Sequence, residues 1–331
     1  MKKLFFSALI IFTVLIYSCA GNAASAQEYF SIGMAYFDLG KYDEAEKWLN
    51  RARQSDRTMT ASQYNLGRLA FERQRYDEAA RHFEDILKID PNNVLALRAA
   101  AYTRIKTGDI DIAQRHYSRL LALVPENADD GYNHALVLYA MERYDEAEQV
   151  LEKYRYSLRD NRDLLLIYAR TQSAQNKVEA IDTFSSWLAD GSDPKVRYEY
   201  ALALEYHELY ARAMEELRKA ITEVTSSTTN IKKSDIHFAL ARVLLIADGD
   251  STEGITEMQS AVEEGFNDAD AVEKLIEGGK VTGANRESLR TIASGIRRAE
   301  AARIEAEETQ KGEEEKAEEN ISETDPESGS Q

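Results

Sequence analysis

The sequence predicts an all-α protein, a solenoid of stacked helix–turn–helix repeats, and three observations predict it. Apolar residues recur at helical spacing: Leu66, Leu69 and Ala70 on one segment, then Ala79, Phe83, Ile86 and Leu87 on the next. Small residues return at a fixed step, with Gly33, Gly67, Ala101 and Ala135 each 34 residues apart. A second series runs Ala45, Ala79, Ala113 and Ala147 at the same step, then Ala180 and Ala213 at steps of 33. Glycine in a helix interior costs about 1 kcal/mol against alanine, so Gly67 calls for a packing reason. A second helix crossing there, with Ala79 as its own small residue, supplies one. Asp90-Pro91 ends that second helix, because proline lacks the amide and restrains the residue before it.

At the N-terminus, Met1-Lys2-Lys3 precedes an apolar run of 14 residues, Leu4 to Tyr17. The run is short for a membrane span and fits a secretory signal peptide over 1–18. Two processing sites compete. Ile16-Tyr17-Ser18-Cys19 looks like a bacterial lipobox, which would lipidate Cys19 and leave 19–27 as a linker; Ala24-Ser25-Ala26 suits ordinary signal peptidase. Cys19 is the single cysteine of the chain, so the mature fold has no internal disulfide.

From residue 28 the repeats begin. The phrases Lys-Tyr-Asp-Glu-Ala-Glu (41–46), Arg-Tyr-Asp-Glu-Ala-Ala (75–80) and Arg-Tyr-Asp-Glu-Ala-Glu (143–148), with Tyr36 and the terminal Pro91 and Pro125, resemble the tetratricopeptide repeat family, whose period is about 34 residues. Six copies run to about 222, and a degenerate seventh over 234–264 has Gly254, Met258 and Ala261 in the small, large and small slots. The resemblance thus covers 28–264 and implies a right-handed superhelix. The fourth and fifth copies depart from the pattern. His134 takes a Leu slot, no proline follows Tyr154, and Asp193-Pro194 caps a fresh start; a local change of curvature over 154–196 is expected. Residues 223–235 form a Ser/Thr-rich loop.

Beyond Phe266, Asp270 to Ile276 reads as a short helix. Asn285 reads as the N-cap of a longer one with Leu289, Ile292, Ile296 and Ile304 on one face. Together, 265–304 suit the terminal cap that a solenoid needs. Residues 305–331 read as an acidic disordered tail, with helix reaching no further than Gly312.

In tetratricopeptide arrays the first helices line the concave surface. The resemblance therefore places Phe30, Phe37, Tyr64, Phe71, Tyr102, Tyr132, Tyr139, Tyr198 and Tyr206 there, with Arg68, Arg98, Lys106 and Arg170 among them. Aromatic rings edged with cations suit a partner-binding groove. Tyr36, Tyr42, Tyr76, Tyr144 and Tyr210 occupy the motif's aromatic slots, where packing explains them. Asn65 and Asn133 are present, but the lysines are not arranged as in the carboxylate-clamp class, and that function is not carried over.

A formal charge of −17, with 12 acids and 3 bases in residues 300–331, argues against nucleic acid as a partner. Attachment to a membrane would come through Cys19 alone. The five histidines sit in separate repeats, with no His-Glu-x-x-His pair and no Gly-rich phosphate loop, so no metal, cofactor or catalytic residue is expected. Asp43-Glu44 and its copies suit the positive start of the second helices. The expectation is a non-enzymatic protein–protein interaction scaffold, exported and lipid-anchored on the periplasmic side of a bacterial membrane. Cleavage at Ala26 would make it soluble instead. The alternative function is a structural subunit of an envelope machine, either outer-membrane assembly or transporter-associated, acting through another surface or by oligomerisation.

Overall fold

The computed structural model describes residues 25–323, apart from 159 and 229. The signal peptide over 1–18, Cys19 and the end of the acidic tail lie outside the described residues. Those that are described form helices, turns and bends with no strand. The chain divides into two compact units, Met1–Thr171 and Gln172–Gln331. The division falls within the 154–196 stretch where the repeat pattern departs.

The first unit is a series of helix pairs. These are α1 (25–38) with α2 (Tyr42–Ser55), α3 (Thr60–Glu72) with α4 (Tyr76–Ile89), α5 (Val94–Thr107) with α6 (Ile110–Leu123), and α7 (Ala128–Ala140) with α8 (Tyr144–Glu152). A further helix, α9 (Arg162–Ala174), carries the division. Each pair packs through its small residues. A Cβ on Gly67 would stand 2.6 Å from Cε1 of Phe83, and Ala79 is fully buried beside it. The packing reason predicted for Gly67 is therefore a phenylalanine ring from α4. Gly33 meets Leu49 in the same way. In the fourth pair the ring of Tyr154 occupies the space a Cβ on Gly131 would need, and its hydroxyl donates to the Pro125 carbonyl at 2.8 Å. Tyr154 thus ties the end of the fourth pair back to the Pro125 loop that precedes it.

The turns of the first six helix pairs are closed the same way. A residue with positive φ stands at 40, 74, 108, 142, 176 and 208, and the following amide reaches back five residues, as from Arg75 to the Ala70 carbonyl at 2.8 Å. This is the Schellman closure of a helix C-terminus. Two first helices of this unit, α5 and α7, begin on side-chain caps: Asn93 accepts from the Ala96 amide and Asn127 from the Asp130 amide. In the second unit Asp193 accepts from the amides of Lys195 and Val196, with Pro194 at the first helical position, as predicted.

The second unit comprises α10 (Glu179–Ala189), α11 (Pro194–Tyr206), α12 (Tyr210–Glu223), α13 (Lys233–Ala247), α14 (Thr252–Glu263), α15 (Ala269–Glu277) and α16 (Gly283–Glu323). Residues 234–264, expected to be a degenerate seventh repeat, lie in the helix pair α13–α14. Gly254 there faces Leu245, and Met258 and Ala261 are fully buried. Phe238, Met258, Val272, Leu275, Leu289 and Ile296 form one apolar cluster with α15 and α16.

Three expectations for this end are corrected. Asn285 is not the N-cap of α16, which starts at Gly283. Its amide instead donates to the carbonyls of Gly249 and Ser251 and pins the helix to the α13–α14 turn. Helix α16 also runs past Gly312 to Glu323, because Ala, Glu, Lys and Arg are strong helix formers that need no partner surface. Ile304 is 47% exposed and does not join the stripe that ends at Ile296.

Candidate interaction faces

On α3 the motif residues Leu66, Leu69 and Ala70 are buried, which turns Tyr64, Arg68 and Phe71, at i, i+4 and i+7, to the other side. The same spacing sets Phe30 and Phe37 on α1, Arg98, Tyr102 and Lys106 on α5, and Tyr132 and Tyr139 on α7. Three of these helices join their side chains into one run. The Arg68 guanidinium stands 4.8 Å over the Phe37 ring, Phe71 and Tyr102 have centroids 5.6 Å apart, and the Lys106 ammonium lies 5.5 Å from the Tyr102 ring. Arg68 also donates to Asn65 at 3.0 Å, so its head is held in place. A small cavity of about 190 Å³ opens beside Arg68, Phe71 and Tyr102. Phe30 lies half-buried on α1.

The sequence separates groove rings from packing rings, and the structure couples them in pairs. Phe37 meets Tyr42 at 5.7 Å, Tyr64 meets Phe83 at 5.4 Å, Phe71 meets Tyr76 at 5.2 Å and Tyr139 meets Tyr144 at 5.3 Å. Each first-helix ring leans on the aromatic slot of a second helix, so one flank of the ring is used for packing. Tyr132 and Tyr139 pack further, against the cluster around Leu138, Leu151 and Ile167, and burial raises the pKa of Tyr132. Tyr102 is 42% exposed and presents the most open ring of the first unit's set.

Arg98 differs most from its expected role. It donates through Nε and Nη2 to both oxygens of Asp130, at 2.7 and 2.6 Å, and Asp130 is only 1% exposed. The pair secures a buried carboxylate rather than edging a groove with free charge. It lies next to Tyr117, whose buried hydroxyl has no partner and whose pKa burial pushes up. His134 stacks on Tyr117, with centroids 6.2 Å apart, and burial lowers its pKa to about 4. Arg170 is half-buried on α9.

In the second unit Tyr198 is half-buried on α11 and burial raises its pKa. Two turns on, Tyr206 is 61% exposed. Beside it lies a trough of about 600 Å³ that the sequence did not reveal, between α11, α13 and α15. Its floor is apolar, and the Arg242–Glu205 pair, with bonds of 2.8 and 2.6 Å, stands in its wall. The signal that could have found it is the run Tyr198, Leu202, Tyr206, which alternates turns of one helix face. Among the described residues no group of three or more His, Cys, Asp or Glu is placed to hold a metal, and no helix is long and apolar enough to cross a membrane.

Comparison with known proteins follows the same lines. Residues 30–94 and 70–130 match two models of the tetratricopeptide repeat. Over 169 residues, 51% of this chain and 86% of the other, the sequence is 24% identical to a Treponema pallidum protein named an uncharacterized lipoprotein. Among solved structures, the chain is similar to a tetratricopeptide repeat protein from Parabacteroides merdae, with a TM-score of 0.53 and 19% identity, covering 76% of this chain and 98% of that one. It is also similar to the C-terminal part of a repeat-containing protein from Cytophaga hutchinsonii, with a TM-score of 0.51 and 16% identity over 65% and 85% of the two chains. These two likenesses concern the fold alone.

Proposed function

We propose that this chain, which belongs to the tetratricopeptide repeat family, is a non-enzymatic scaffold of a bacterial cell envelope that holds an extended segment or helix of a partner protein. The observation that carries the reading is the run Phe37, Arg68, Phe71, Tyr102 and Lys106 across α1, α3 and α5. Rings held from behind by second-helix aromatics lose little entropy when a partner covers their open edges, and rigid aromatic anchors with arginine dominate such interfaces. Cations above ring faces add attraction for a partner that excludes water from them.

Anchoring through lipidated Cys19 is part of the proposal. Ala26 is fully buried in α1. A cut after Ala26 would remove that residue from its packing site, whereas a cut before Cys19 keeps α1 whole. The name of the Treponema pallidum relative supports the same reading. Metabolic labelling with a palmitate analogue is expected to mark the wild type and not Cys19→Ala; an unlabelled wild type ends the lipoprotein reading. For the groove, the double variant Phe71→Ala/Tyr102→Ala is expected to lose a partner captured from detergent-solubilised envelope by the wild type. Unchanged capture by a folded variant would move the function to another surface, as for a subunit of an envelope machine.

A further inference from the structure

The trough of the second unit differs in kind from the run on the first. Leu202, Phe238, Ile246 and Leu275 give it an apolar floor and walls, and the ring of Tyr206 stands mostly in water at its edge. Three cations line it, and they are not equivalent. Arg242 is spent on Glu205 through two charge-assisted bonds and lies over the Phe238 ring at 5.7 Å, so it is part of the wall. Lys274 is exposed on α15, and among the described residues neither it nor Lys280 forms an ion pair; the Lys280 ammonium stands 3.4 Å from the Tyr210 hydroxyl and 5.6 Å from its ring centroid. Two ammonium groups outside any ion pair among the described residues, at the lip of an apolar trough, stand out in a chain of formal charge −17.

Lys280 is also held in position by its surroundings. Its loop, between α15 and α16, is pinned to the α13–α14 turn: Thr282 Oγ1 donates to Asp250 at 2.7 Å, Asn285 donates to Gly249 and Ser251, and Val281 is fully buried. A Cβ on Gly249 would collide with the Lys280 carbonyl, so glycine there permits the close approach of the two loops.

We infer that this trough is a second docking site, for a partner segment that presents bulky apolar side chains flanked by carboxylates. The apolar floor takes the side chains and the ammonium groups of Lys274 and Lys280 take the acids. Because the trough is open along one side, it suits a peptide lying along it rather than an enclosed small molecule. The inference shares with the proposed function the premise that the chain binds polypeptide, but it uses none of the residues of the first unit's run.

Fluorescence anisotropy on the full chain tests it with a short labelled peptide that carries leucine and phenylalanine at i, i+3 and i+4 and glutamate elsewhere. The control has lysine at every glutamate. The glutamate peptide is expected to bind more weakly as salt rises. Lys274→Glu/Lys280→Glu is expected to weaken it by about tenfold or more, and Leu202→Glu, on the floor, to do the same. The lysine peptide is expected to show no comparable binding. Equal binding of the two peptides, or affinity unchanged in the charge-reversed variant, overturns the inference. Binding of dodecanoate without the peptide would make the trough an amphiphile site. Self-association abolished by Ile304→Glu would make its occupant the acidic helix of a second copy, and either result also overturns it. Phe71→Ala/Tyr102→Ala is expected to leave peptide affinity unchanged, so failure of this site and failure of the first unit's run are separately visible.

Discussion

The two units spend their aromatic residues differently. In the first, the Tyr-Asp-Glu-Ala phrase recurs and supplies a second-helix ring against which a first-helix ring leans, as Tyr42 does for Phe37 and Tyr76 for Phe71. In the second, Tyr210 occupies that slot but turns to Lys280, and Tyr206 is left open beside a trough. Regular repeats thus use ring on ring to stiffen a narrow contact surface. The irregular end, closed by α15 and a pinned loop, leaves volume instead.

The largest expected difference between the units lies in their arginine–carboxylate pairs. Arg98→Ala would strand a carboxylate that is almost wholly buried, and is expected to cost about 3 kcal/mol. Arg242→Ala would release Glu205 at the wall of an open trough, where water can reach it, with an expected cost of about 1 kcal/mol. Urea unfolding of both variants, read with hydrogen exchange to separate the units, measures the contrast. Equal costs would mean that Asp130 finds another donor.

Acid should act on the first unit before the second. Burial lowers the pKa of His82, His116 and His134, all in the first unit, and that of His134 to about 4. A histidine whose folded pKa lies below its unfolded value stabilises the fold fully above about pH 6.5, and that stability drains away as pH falls toward the folded value. Lowering the pH from about 6.5 to 4 is therefore expected to open the first unit preferentially, with His134 contributing roughly 2–3 kcal/mol of the loss. His134→Leu should flatten this slope, and an unchanged acid profile in that variant would refute the assignment.

The smallest expected effect comes from the turns. Gln74 and Glu208 adopt φ near +59° without being glycine, and glycine there is expected to stabilise each turn by up to about 1 kcal/mol. Because the same closure recurs in both units, Gln74→Gly and Glu208→Gly should raise the melting temperature alike. A gain confined to one unit would show that the turns are not equivalent.

Gly67 illustrates what was legible in the sequence. A glycine inside a helical pattern, repeated at one period with a small partner, predicts a crossing helix, and the ring of Phe83 is there. The stacking and the Asp193-Pro194 start were readable for the same reason, since both depend on residues close in sequence or related by the period. Arg98 was not. Its partner, Asp130, lies in the first turn of α7, where an acid reads as a complement to the helix dipole, and only the fold shows that it is buried. The trough was hidden because its floor is assembled from α11, α13 and α15, and only α11, with Tyr198, Leu202 and Tyr206 on one face, carries a pattern that hints at it. The extension of α16 was missed because composition alone cannot separate a solvated helix from a disordered acidic tail.

The left-handed turn residues also act as a ruler. They mark 40, 74, 108, 142 and 176 at an unchanging interval, then 208. Length varies elsewhere, as in the Ser/Thr-rich stretch between α12 and α13. A foreign peptide or fluorophore spliced into 225–228 would meet only exposed or half-exposed chain, and insertion there should leave every repeat in phase. The same cassette placed at Gln74 would break the bond from Arg75 to Ala70 and shift all later helices against their neighbours. The molecule therefore offers a tagging site between its repeats rather than at the turns that close them.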